Sequence, residues 1–190
     1  MTTLGLTVTF IILYSCGVGD QKKQESINRD NIGRDSLVRL GGYLTTIIGC
    51  NDCHSPKKIL ANGMSVLDSS LLLSGFPSTR PLPDFPDKPV DDGFVVGNLD
   101  ATATRGPWGT SFAANLTSDA TGIGNWSLAR FSIALQHGRF KGIEGARELL
   151  PPMPWSNFQK MSAGDVRAIY EYLKSTKPVE NNVPAFIPAK

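Results

Sequence analysis

Apolar residues recur at helical spacing in three stretches of the chain. The first begins at Ser36, where Leu37, Leu40, Leu44 and Ile47 place one stripe of a helix, ending near Gly49, against a core. Gly41 and Gly42 interrupt it. Glycine inside a helix costs about 1 kcal/mol against alanine, and its usual compensation is close approach by a second helix or backbone. A second helix is predicted over 126–137, opening after Asn125, with Leu128, Phe131 and Leu135 on one stripe and Gly138 at its end. The third spans 163–175. Ser162 and Asp165 form an acidic variant of the capping box, and Val166, Ile169, Tyr170 and Leu173 share a face. This last helix is the natural partner for the glycine pair. Pro178 blocks its continuation, so the tail to Lys190 is expected to run extended over the surface.

Other stretches lack such periodicity. Residues 4–14 are apolar, uncharged and too short to cross a bilayer as a mature helix, which reads as an export signal. Leu13, Tyr14, Ser15 and Cys16 resemble the bacterial lipoprotein box, in which cleavage leaves the cysteine as a lipid-bearing N-terminus. The expected organisation is an export signal over 1–16, a flexible tether over the polar residues 17–35, and one folded domain over 36–190. Prolines and glycines concentrate between 74 and 157, predicting irregular chain there. No repeat or strand-rich block interrupts this pattern, so the expected class is all-α, with long Pro/Gly-rich loops.

Composition narrows the field. With 190 residues and 41% hydrophobic content, the chain can bury one core but has little room for two. Nineteen Lys and Arg against 17 Asp and Glu leave a net charge of +2, without the basic surplus of a nucleic-acid binder. Three cysteines cannot all pair with one another, so each needs its own account.

The chemistry is concentrated in Cys50, Asn51, Asp52, Cys53 and His54, the CxxCH pattern of c-type haem attachment. Two thiols at this spacing can each add to one of two adjacent haem vinyl groups, while the next residue's imidazole falls beneath the iron. A structural zinc site would need four ligands, and beyond this cluster only Cys16 and His137 are available among Cys and His. A thioredoxin-like dithiol would want a strand feeding the motif, where a glycine-interrupted helix is predicted instead. An electron carrier also needs a second axial ligand, commonly a methionine thioether. Met1 lies in the signal and Met64 follows the motif too closely, which leaves Met153 as the candidate, with Met161 and His137 as competitors. Met153 sits in a strap, Leu150, Pro151, Pro152, Met153, Pro154, Trp155, whose prolines restrict the backbone. Trp126 and Trp155 are the candidates for packing at a haem edge or bonding a propionate. Arg105, Arg130 and Arg139 could neutralise propionates, but a solvated surface position is the commoner fate of arginine, and none is assigned that role.

Four segments in order carry a family resemblance: GGYLTTIIGCNDCH, NLTSDATGIGNWS, FSIALQHGRFKG and LLPPMPWSNFQKMSAGDVRAIYEYL. Over roughly 41–179 the chain resembles class I c-type cytochromes, and more closely the cytochrome subunits of membrane-linked alcohol and aldehyde dehydrogenases. That resemblance implies the class I cytochrome c fold wrapped around one covalently bound haem c, His54 and Met153 as metal ligands, and Met153 on the distal side. It also implies single-electron exchange with redox protein partners, a dehydrogenase on one side and an oxidase or another cytochrome on the other, in the periplasm or cell envelope. Those relatives resemble strings of such domains, whereas this chain has one CxxCH, and its segment 74–107 is longer than a minimal cytochrome needs. Rival readings are a haem enzyme or gas sensor with an open distal site, and a tethered interaction subunit whose haem is structural.

Overall fold

A computed structural model of the chain describes residues 33–189; the predicted export signal, Cys16 and residues 17–32 of the tether lie outside them. Among the described residues five α-helices follow one another: α1 (Arg34–Ile47), α2 (Cys50–His54), α3 (Asp87–Asp91), α4 (Leu128–His137) and α5 (Ala163–Ser175). Helix α1 begins inside the stretch read as tether, and α4 begins later than its periodicity suggested, because Ser127 accepts the Arg130 N–H and caps it. Helix α5 has the expected bounds, with Ser162 Oγ accepting the Asp165 N–H at 3.1 Å.

Helices α1 and α5 cross at the glycines. A Cβ on Gly41 would collide with the backbone carbonyl of Ala168 and lie 2.7 Å from Tyr172 Cβ, and one on Gly42 would meet the Tyr172 ring at 3.1 Å. The contact therefore centres on Leu37, Gly41 and Thr45, all buried, and Ile47, expected on the stripe, is 58% exposed. The glycine, being the point of closest approach, rotates the buried face toward itself. On α4 the same correction applies to Leu128, which is exposed, while Phe131, Ala134 and Leu135 are buried.

The all-α expectation does not hold. Two antiparallel sheets share the fold with the helices, so the class is mixed. A hairpin, β1 (Lys57–Ile59) with β2 (Ser65–Leu67), follows the CxxCH turn directly, pairing Lys57 with Leu67. A four-stranded meander joins β3 (Val96–Gly97), β4 (Ala103–Gly106), β5 (Gly109–Phe112) and β6 (Ile187–Pro188) in chain order. Gly106 pairs with Gly109 across a two-residue turn, and Thr110 pairs with Ile187. None of these strands exceeds four residues, too short for alternation to register as a period. Between 74 and 157, where irregular chain was expected outside α4, lie α3, β3, β4 and β5, and the tail is extended as expected but ends as an edge strand.

Between the helices lies one cluster of buried side chains: Leu73, Ile123, Phe131, Leu135, Phe158, Val166, Ile169 and Leu173. Among the described residues, no helix is long and apolar enough to cross a membrane.

Candidate functional site

The CNDCH sequence forms its own short helix, α2, separated from α1 by Gly49. Gly49 turns the chain through the left-handed region (φ 77°), a conformation in which a Cβ would be strained and would meet the Asp52 carboxylate at 2.7 Å. Cys50 and Cys53 are thus one helical turn apart and share a face, and both are free thiols. The turn is tied from below. Ser55 Oγ donates to Asn51 Oδ1 and accepts the Leu73 N–H, each at 2.8 Å, and the His54 carbonyl accepts the Gly75 N–H.

His54 is the oriented member of the motif. Its Nδ1 lies 2.8 Å from the Ala114 carbonyl oxygen, and since a carbonyl can only accept, Nδ1 carries the proton. Nε2 then holds a lone pair, the form in which imidazole binds a metal. Burial lowers the His54 pKa, against the opposing effect of the Ala114 bond, and favours that neutral form. Burial likewise pushes the Cys50 thiol up to about 11 and raises that of Cys53. A redox dithiol needs the opposite shift and a strand before it, and here helix α1 feeds the motif. No group of three His, Cys, Asp or Glu side chains among the described residues could hold a metal ion, so the four-ligand zinc reading has no support there.

Cys50 packs against the apolar cluster, and so do Met153, Met161, Trp126, Leu44, Ile48 and Leu116. The thiol and both candidate methionines therefore converge on one apolar region. His137, the other competitor, is exposed at the end of α4. Trp126 is fixed by the Tyr170 hydroxyl on its carbonyl at 2.9 Å and by the Arg130 guanidinium stacked 4.6 Å from its ring centre. Trp155 lies against Gly138, where a Cβ would sit 2.6 Å from Cε3 of the indole. Of the candidate arginines, Arg105 pairs with Asp87, Arg130 donates from Nε to the Lys141 carbonyl, and Arg139 donates to the Ala146 carbonyl.

Two participants escaped the sequence reading. The Ala114 carbonyl is a backbone group and leaves no trace in residue type. Asn115, beside it, has all four positions of its side-chain amide paired: Oδ1 accepts from the Thr117 N–H and hydroxyl, and Nδ2 donates to Thr121 Oγ1 and the Val179 carbonyl. The Asn-x-Thr spacing of an Asx turn was the available signal.

No family model matches the chain. It is 37% identical over 89 residues to a nicotinate dehydrogenase subunit of Pseudomonas putida, covering 46% of this chain and 7% of that protein. It is 35% identical over 96 residues to the fructose dehydrogenase cytochrome subunit of Gluconobacter japonicus, covering 50% and 18%. Over 144 residues it is 30% identical to the gluconate 2-dehydrogenase cytochrome c subunit of Pantoea cypripedii, covering 75% and 24%. The chain is a relative of dehydrogenase cytochrome c subunits. It spans less than a quarter of the length of any of these three proteins.

The residues of this cytochrome c relative fit haem c on three independent grounds. Two unpaired thiols share a helical face, the following imidazole has its metal-binding nitrogen free, and an apolar region containing two thioethers lies against the first thiol.

Proposed function

We propose that the chain is an exported mono-haem c-type cytochrome that passes single electrons between a dehydrogenase and a downstream cytochrome or oxidase. The observation that carries this reading is the bond from His54 Nδ1 to the Ala114 carbonyl, which leaves Nε2 free beside two thiols on one face. Cys50 and Cys53 would hold haem c through two thioethers to its vinyl groups, a redox-neutral addition of S–H. His54 Nε2 and Met153 Sδ would ligate its iron. The haem supplies a reversible one-electron couple. The protein's residues would keep both ligands in place and exclude water through the cluster around Phe131 and Val166. Trp126 and Trp155 pack at the ring edge. The chain catalyses nothing alone; dehydrogenases are its donors, and a lipid on Cys16 tethers it in the envelope.

The test is the optical spectrum of the full chain made in a host with haem-attachment machinery. A covalent low-spin haem is expected, with the weak ferric methionine-sulfur band and no uptake of carbon monoxide on reduction. Met153→Ala abolishes that band and opens the iron to the gas, whereas replacing both Cys50 and Cys53 by Ala abolishes covalent haem. A wild-type protein that lacks the band and binds carbon monoxide would replace the carrier with an open-site haem protein; a chain without haem would sink the reading.

A further inference from the structure

The strap that carries Met153 is unusual in how little it can be tied. Pro151, Pro152 and Pro154 have no N–H to donate, so its attachments must come through carbonyls or packing. Two of its hydrogen bonds are local: the Met153 N–H to the Leu150 carbonyl at 3.2 Å, and the Asn157 N–H to the Pro154 carbonyl. A third comes from the small sheet. Ser111 Oγ donates to the Pro151 carbonyl at 2.7 Å.

We infer that Ser111 is a positioning residue for Met153: its hydroxyl, set by the small sheet, holds the Pro151 carbonyl and so fixes where the methionine two residues later can sit. The inference rests on the proposed ligation by Met153. A hydroxyl has one proton, and of the two carbonyls within reach, Thr104 is 3.3 Å away, so the shorter contact to Pro151 takes it. The Trp108 indole N–H, 3.3 Å from Ser111 Oγ, occupies an oxygen lone pair and leaves the proton for the strap.

Ser111 is itself held on both edges of its strand. It pairs with Thr104 on β4, and its neighbour Thr110 pairs with Ile187 on β6. Beyond β5 the chain continues through Ala113, whose N–H bonds the Thr102 carbonyl and whose carbonyl accepts the Phe76 N–H, to Ala114, whose carbonyl orients His54. One run of backbone thus reaches the proximal histidine through Ala114 and the distal strap through Ser111. The sheet that overturned the all-α expectation acquires a role in this way, as the common frame for both axial contacts.

The experiment uses the haem-loaded full chain in four forms: wild type, Ser111→Ala, Ser111→Thr and Ser111→Val. Thr and Val have nearly equal volume and differ in the hydroxyl, so this pair isolates the hydrogen bond even where the alanine variant folds poorly. Readouts are the ferric methionine-sulfur band, the fraction of reduced protein that binds carbon monoxide, and the reduction potential. Loss of one hydrogen bond is expected to raise the gas-reactive fraction by roughly fivefold in the Ala and Val variants, with a weaker band. Thr restores the wild-type spectrum. A band unchanged in Ala and Val, or lost equally in Thr and Val, overturns the inference while leaving Met153 as ligand. A wild type with no methionine band overturns the ligation and this inference together.

Discussion

Asp100 shows how a single side chain can secure the base of the site. It is 5% exposed, pairs with Arg80 Nη1 at 2.7 Å and accepts from the Thr102 hydroxyl and N–H. Its backbone carbonyl also accepts from Lys57 Nζ, which reaches the Asp52 carbonyl within the CxxCH turn. Burial works to raise the Asp100 pKa, but the bonds from Thr102 and Arg80 outweigh it and hold the carboxyl below its ordinary value. A carboxyl depressed in the folded state stabilises fully above its unfolded pKa and loses that contribution as pH falls through the lower folded value. Asp100→Asn is therefore expected to be less stable than wild type near neutrality, with the gap closing as acid protonates the wild-type carboxylate. Urea unfolding of both proteins at about pH 7 and about pH 3 checks this; a gap independent of pH would remove ionisation from the account. The importance of Asp100 was not legible in the sequence, because its partner Arg80 lies twenty residues away and no local period links them.

At the scale of elements, the α1–α5 crossing was largely readable. The two adjacent glycines within an apolar stripe demanded a close neighbour, and the capped stripe of α5 was the available one. What could not be read was the rotation of α1, since periodicity locates a face only to within a residue's arc, while the side chain of closest approach is decided by the partner. Gly41→Ala is expected to destabilise the domain by about 1–3 kcal/mol, because a methyl there must displace backbone rather than a flexible side chain. Gly33→Ala serves as a control for the crowding: nothing lies within 4 Å of its Cβ position, and as the N-cap of α1 it is expected to cost no more than about 1 kcal/mol. Denaturant titrations of both variants decide: helix propensity favours alanine at Gly41, so a loss there no larger than at Gly33 would mean that the close crossing does not set the cost.

For the molecule as a whole, the chain after α5 closes the structure. Asn181, 6% exposed, donates to the Ser74 and Phe76 carbonyls and accepts the Ser78 N–H. Farther along, the Phe186 ring meets the Arg147 guanidinium at 4.9 Å, which also stacks on Phe140 at 4.0 Å, before β6 joins the sheet. The tail thus binds the segment after the CxxCH turn, the loop after α4 and the strand that carries Ser111. Asn181→Ala leaves buried backbone groups without partners and is expected to cost about 2–4 kcal/mol. Thermal unfolding followed by circular dichroism tests this, and a melting temperature equal to wild type would show that the loop at 74–78 is held without Asn181, by its bonds to His54 and Ala113 and by packing.

The residues themselves determined the α5 helix, the approximate places of α1 and α4, the haem-type motif and the strap around Met153. Each of these follows from side-chain spacing or identity within one short window, where local physics suffices. The tertiary structure alone decided the two sheets, the carbonyl that orients His54, the hydroxyl that meets Pro151 and the role of the tail. Strands of two to four residues are too short to show a period, and β6 acquires its partner only when it meets β5, far away in the chain. A backbone carbonyl such as that of Ala114 is chemically the same at every position, so only the fold selects which one meets the imidazole.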